Sequence, residues 1–355
     1  MKKIYPFLFA ILFITLSCET NDNLLPENEA DTQDNMSVDM SNFEAVFDSQ
    51  PPSRRDHRCA TMDLLKEDLK EDPSLRARMY DIEYNVKKYL QEKEEIVSNG
   101  DYRTADPDID VKPINDGLGF ITIPVYVHVI YKTAKQNISY SQITSQIAVL
   151  NNDFKNKNYT GLPARFKNDV TSMGFRFVLK KVFRYKNNSV PFKDNNRFKR
   201  NYKAKTPNTH LNIWVTPLKN ETLGFATFPG AKAWKDGVVI QPQYFGTKGY
   251  VEAPFDRGRT ATHEIGHYVG LYHVWGDAVK DKDGCKLDDE IKDTPNSQVP
   301  YFGCDKNEST CGTVDMNMNF MDYRDDRCLT IFTDGQRNKA RSYFRKGGFR
   351  ASMIK

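Results

Sequence analysis

The chain has little of what would carry it to nucleic acid or through a membrane. Its formal net charge is only +4 over 355 residues. Acids and bases are interspersed and no basic stripe is interleaved with aromatics, so nucleic acid is not an expected partner. Long apolar runs are missing: nothing after Ile4–Leu16 approaches that hydrophobicity, and this run is itself too short for an ordinary membrane span. There is no internal repeat, which excludes a repeat array. There are six cysteines but no CxxC pair, which argues against a zinc site built from thiolates alone.

What is present begins with an address. Lys2 and Lys3 precede the apolar run, which ends in Ser17, Cys18, Glu19 and Thr20, the order of a secretory signal over residues 1–18. The expected location is secreted or extracytoplasmic. Cys18, in Thr-Leu-Ser-Cys, matches a loose lipoprotein processing site, so a lipid anchor through Cys18 is a further expectation.

Residues 19 to about 55 are polar, with few large apolar side chains, and read as a tether. Next come Cys59 and a helical segment opening at Pro73 and Ser74, with Ile82, Val86 and Leu90 on one face. Ser98 to Gly119 reads as a linker.

The large domain opens with Ile121–Tyr131, an alternating β-branched strand. In the helix that follows, Ser139 and Gln142 predict a capping box, and Ile138 and Ile143 a hydrophobic staple. Ile143, Ile147, Leu150 and Phe154 form its apolar face. Further strands are expected at 175–183, 210–216 and 237–241, and Thr333 with Gln336 predicts a capped last helix to about Phe344. A sheet packed against helices follows, with α/β and α+β not separated by pattern alone.

The segment 262–273 reads THEIGHYVGLYH. His263 and His267, four apart, project from one helical face toward a single ion. Gly270 lets the chain leave the helix and brings His273 round as third ligand. Glu264, beside the first ligand, is left free to hold a water as general base. Three neutral imidazoles leave a fourth zinc position open to that water, which describes peptide hydrolysis without a covalent intermediate. The extended HExxHxxGxxH pattern is the metzincin signature. A surface-held binding protein braced by zinc and a zinc amidohydrolase are the competing readings.

The chain resembles the pappalysin-like metzincin zinc metallopeptidases of the ulilysin type. The resemblance rests on IPVYVHVI, SQITSQIAVLNNDF, the zinc segment, GCKLDDEIKDTP and NFMDYRDDRCLTIFTDGQR, together spanning about residues 120–340. It implies an α+β catalytic domain over 103–355, with a twisted mixed sheet, a long active-site helix and an irregular lower part ending in a C-terminal helix. Met321 would be the methionine of the Met-turn, and Tyr323 a catalytic donor to the developing oxyanion. Asp326 would line the pocket for the side chain after the cut, selecting Arg or Lys by a charge-assisted bond.

Cys285, Cys304, Cys311 and Cys328 suggest two disulfides, whose pairing the sequence leaves open among three arrangements. The resemblance favours Cys285 with Cys311 and Cys304 with Cys328. Hard oxygen ligands cluster between Cys285 and Pro295, and the resemblance implies structural calcium with Asp289 and Thr294 as the best-matched positions. Cys59, in DHRCAT, is the odd thiol and a good zinc ligand. The resemblance makes it an inhibitory cysteine on a removable propeptide, residues 19–102, with Tyr102–Arg103 as a self-cleavage bond. Partners are then protein or peptide substrates, acted on by a monomer.

Overall fold

The computed structural model describes residues 38–41, 43, 58–98, 116–157, 162–277, 284–305 and 308–354. The signal, Cys18, most of the tether and the Tyr102–Arg103 bond lie outside the described residues. Among the described residues no helix is long and apolar enough to cross a membrane.

Ahead of the sheet stand α1 (Thr61–Glu71) and α2 (Ser74–Ser98). The core is a five-stranded sheet of β1 (Ile121–Tyr131), β2 (Phe175–Lys186), β3 (Leu211–Val215), β4 (Gly224–Ala226) and β5 (Val238–Ile240). Its order is β2-β1-β3-β5-β4. All pairings are parallel except β4 with β5, which is antiparallel and leaves β4 at the edge. β3 and β5 are buried along their whole length, as parallel strands covered on both faces require.

The helices α3 (Tyr140–Asp153), α4 (Arg259–Tyr268) and α5 (Asp334–Ser342) complete the α+β architecture, with α4 against β4 and β5 and α3 against β2 and α4. Ser139 caps α3 through Gln142 N–H at 3.1 Å. The expected reciprocal half of that box is not made. The Gln142 amide instead donates to the carbonyls of Pro242, Phe245 and Tyr250, because buried backbone in the following loop needs those donors. Thr333 and Gln336 do form the full box at α5. Asp326, Met321 and Tyr323 lie in the irregular region between the sheet and α5, where Cys285 is bonded to Cys311 and Cys304 to Cys328.

Candidate metal centre and cleft

Helix α4 is ten residues long and ends where Val269 leaves helical geometry and Gly270 takes φ +87°. A side chain at Gly270 would collide with the Tyr343 ring, so glycine is required there both for the turn and for the contact. The turn brings His273 back beneath His263 and His267. Their Nε2 atoms lie 3.2 Å (His263 to His273), 3.2 Å (His263 to His267) and 3.0 Å (His267 to His273) apart. The Nδ1 atoms donate outward, to Phe320 O at 2.8 Å, to Leu271 O at 2.8 Å and to Asp277 Oδ1 at 2.5 Å.

A carbonyl can only accept, so Nδ1 of His263 and of His267 carries the proton and their Nε2 atoms present lone pairs, and the Asp277 carboxylate favours the same tautomer at His273. Three lone pairs converge on one point with no proton between them, which repels unless a cation sits there. Bonds of about 2.0–2.1 Å to a tetrahedral ion would set the donors about 3.3 Å apart, close to what is found. Burial holds two of the rings neutral: His263 is lowered to about 3 by desolvation and by the neighbouring His273, and His267 is also held far down. The residues fit a zinc ion.

Cys59 Sγ joins the three histidines, the four donor atoms lying within 4.8 Å of one another. It comes from the segment preceding α1, which runs along the free edge of β4 in a parallel bridge, Cys59 with Gly224. Leu223 N donates to Arg58 O at 3.0 Å and Ala60 N to Gly224 O at 3.1 Å. Cys59 is unpaired and buried, and desolvation with the nearby Glu264 charge holds its thiol well above the ordinary range.

Glu264 is fully buried beside this cluster. Its Oε2 accepts from Thr61 Oγ1 at 2.8 Å and from Cys59 Sγ at 3.4 Å, and burial pushes its carboxyl up to about 8. Thr61 Oγ1 in turn accepts from Ala226 N at 2.8 Å. Tyr323 stands against His273 and Trp275, its hydroxyl 3.4 Å from Cys59 O. Met321 packs beneath α4 at Gly266, where its sulfur fills the place a side chain would take. Asp326 is buried, its Oδ2 accepting from Arg257 N at 2.8 Å and Arg259 N at 3.1 Å, and its carboxyl is pushed up to about 7 by desolvation. It lines a cleft of about 290 Å³ together with Arg58, Cys59, His263 and Glu264.

The structure places His263, His267, His273, Cys59, Glu264, Tyr323, Met321 and Asp326 in one region, and adds two residues that the sequence reading did not single out. Asp277, four residues after His273, holds that ring's Nδ1, the kind of carboxylate–histidine pairing that fixes the tautomer of metal-ligating histidines. Thr61, inside DHRCAT, occupies Glu264. The Asp-after-His spacing was a visible signal. Nothing in the pattern marked Thr61.

At the expected calcium position, Asp289 Oδ1 accepts from Thr294 Oγ1 at 2.7 Å and Ile291 N at 3.1 Å, and its buried Oδ2 has no hydrogen-bond partner. Other acids of the cluster are engaged elsewhere: Glu290 with Lys87 and Lys339, and Asp293 with Thr333 and Gly335.

Sheet, helix α4, the returning third histidine and the methionine beneath define a metzincin-type metallopeptidase. Residues 200–344 match the family described as pregnancy-associated plasma protein-A. An extracellular metalloprotease of Arthroderma benhamiae is 34% identical over 225 residues, 61% of this chain and 69% of that protein. Mature mirolysin of Tannerella forsythia, solved with a cleaved peptide, is 37% identical with TM-score 0.62, covering 66% of this chain and 96% of that one. A mutant of Tannerella forsythia promirolysin is 32% identical with TM-score 0.68, covering 84% of this chain and 97% of that one. The chain belongs to the pregnancy-associated plasma protein-A family of peptidases.

Proposed function

We propose that the protein is an exported zinc endopeptidase made as a latent zymogen, cutting peptides before Arg or Lys. The observation that carries the reading is the convergence of three histidine lone pairs beside a buried glutamate, with a thiol from a separate segment filling the remaining approach. His263, His267 and His273 would hold zinc, which when bound supplies a Lewis acid that polarises the peptide carbonyl and acidifies water. Glu264 takes a proton from the attacking water at its carboxylate and returns it to the leaving amine as the C–N bond breaks. Tyr323 donates to the oxygen on which negative charge develops. Asp326 receives the basic side chain after the cut, and Met321 supports the histidine floor.

Cys59 keeps the chain latent. Its four-donor set would also suit a purely structural zinc, but the fourth donor comes from the segment before α1, 204 residues ahead of His263 in the chain. The proform covers 84% of this chain and the mature form 66%, which supports a removable N-terminal segment. Export is supported by the signal-like N-terminus and the extracellular relatives. The orphaned Asp289 Oδ2 supports a structural calcium at Asp289 and Thr294.

The test is to incubate the chain lacking residues 1–18 with and without a zinc chelator, beside Glu264→Ala, and to sequence every N-terminus by mass spectrometry. Chelator-sensitive cuts before Arg or Lys that vanish in Glu264→Ala, with its zinc retained, are expected. Equal cutting by the variant would remove Glu264 from the mechanism.

A further inference from the structure

The even mixing of charges expected from the sequence fails in one stretch. Residues 176–205 hold eleven Lys or Arg against a single acid, Asp194, so they carry +10 in a chain whose total is +4. Ten of the eleven are exposed, and only Lys199 is buried. Of those ten, Arg197 alone pairs with an acid among the described residues, reaching Glu71 at 3.4 Å between two well exposed side chains.

The fold gathers these charges. β2 is an edge strand, with nothing paired to its outer side. Phe175, Phe177, Leu179 and Val182 face the core shared with α3 and α4, so Arg176 points to the opposite face. A bulge opposite Val125 and Tyr126 leaves Lys180 without a partner in the register, and both Lys180 and Lys181 are exposed. Lys181 lies over the Phe183 ring, 5.1 Å from its centre. Residues 187–205 return across this same face. Asn187 Nδ2 donates to Tyr202 Oη at 2.8 Å, Tyr202 packs 5.0 Å from Tyr185, and Lys205 N donates to Asn212 Oδ1 of β3 at 2.8 Å. Lys203 and Lys205 are thereby brought to the face that carries Arg176 and Lys181. Lysines on an edge strand discourage edge-to-edge pairing, which accounts for those on β2 but not for the second run, 193–205.

Unpaired like charge of this density favours an anionic partner. A compact anion needs cations converging on one point, whereas these follow a strand rising about 3.3 Å per residue, the layout for an extended polyanion. Unstacked bases are poorly served, because ring faces are already in use: His128 stacks on Phe183 at 4.8 Å and His210 on Tyr126 at 4.2 Å. An acidic peptide strand is poorly served too, because the bulge bends the edge it would pair with.

We propose that this face, β2 with residues 193–205, docks an anionic polysaccharide bearing sulfate or carboxylate groups. The sheet order puts it at the edge opposite β4, four strand spacings or roughly 20 Å from the edge that borders the metal centre. A glycan held there leaves the cleft open and concentrates the chain at a surface. The inference stands whether or not the chain is a peptidase.

The experiment uses the chain lacking residues 1–18 with Glu264→Ala, so that it stays whole. Affinity for heparin, a sulfated uronate chain, is measured by surface plasmon resonance beside neutral dextran, polyglutamate and duplex DNA. Heparin is expected to bind above the other three at about 50 mM salt and to be released by about 500 mM, as screening requires. Arg176→Glu, Lys181→Glu, Lys203→Glu and Lys205→Glu together should weaken it at least about tenfold, the scale of several exposed ion pairs. The same four changed to Gln should give a smaller loss in the same direction, which keeps the test valid if the reversed chain misfolds. Lys157→Glu, Lys167→Glu, Lys248→Glu and Lys346→Glu, exposed elsewhere and equal in net charge, should change little. Equal loss in the two reversed sets would make net charge the only cause and overturn the proposal. No retention on heparin at low salt would overturn it as well, and tighter binding to DNA or polyglutamate would overturn it in favour of that partner.

Discussion

Glu83→Gln probes the hold of the N-terminal helices on the rest of the molecule. Glu83, on α2, is 3% exposed; its Oε1 lies 2.8 Å from Lys339 Nζ and its Oε2 accepts from Tyr343 Oη at 2.9 Å. Lys339 also reaches Glu290 at 3.1 Å, and Glu290 reaches Lys87 of α2 at 2.8 Å. Although burial works against it, Lys339 is kept charged by Glu83 and Glu290. The glutamine preserves shape and an acceptor for Tyr343 but removes one of the two carboxylates facing a buried ammonium. Because Glu290 remains, the loss is smaller than for a lysine left alone, about 2–3 kcal/mol. That shifts the opening equilibrium of α1 and α2 about 30- to 150-fold. Hydrogen exchange by mass spectrometry on residues 61–93, in a Glu264→Ala background that prevents self-cleavage, reads this directly. Exchange in the two helices that matches the parent would refute the idea that buried charge pairing holds the segment.

Thr61→Val removes the 2.8 Å donor to Glu264 and leaves Ala226 N–H without its acceptor. Activity on a peptide should then appear sooner, with segment exchange faster by about ten- to a hundredfold; an unchanged lag would count against Thr61 as part of the lock. Asp277→Asn should weaken zinc binding about 10- to 100-fold in chelator competition, since the carboxylate that fixes His273 is lost. Unaltered affinity would make Asp277 incidental. Asp326 has its carboxyl pushed up to about 7 by burial, so it is neutral below that pH and anionic above. Preference for basic over neutral peptides should grow as pH rises through about 7 and flatten in Asp326→Asn, while a preference that falls with pH would oppose the assignment.

Periodicity carried much of the fold. β1 has the bounds its alternation predicts, Ile121–Tyr131, and α5 starts after Thr333 because a capping box is a local interaction. β4 was not legible: three residues, Gly224–Ala226, have no period to read and become a strand only because β5 pairs with them. α1 was missed as well, since Thr61–Glu71 is rich in acids and lysines and its buried side, Met62, Leu64 and Leu65, is defined by what it meets. The convergence of His263, His267 and His273 was legible because their spacing is set by one helix and one turn. Arg58 and Thr61 were not, since their partners Tyr323, Asp325 and Glu264 lie more than two hundred residues away.

The segment that fills the cleft is joined to the domain twice, through the covalent chain and through Asp68 with Lys235, Glu83 with Lys339 and Lys87 with Glu290. Severing only the first, anywhere in residues 99–115, turns a tethered contact into an ordinary complex governed by mass action. A nicked molecule at high concentration would stay closed, and dilution alone would open it.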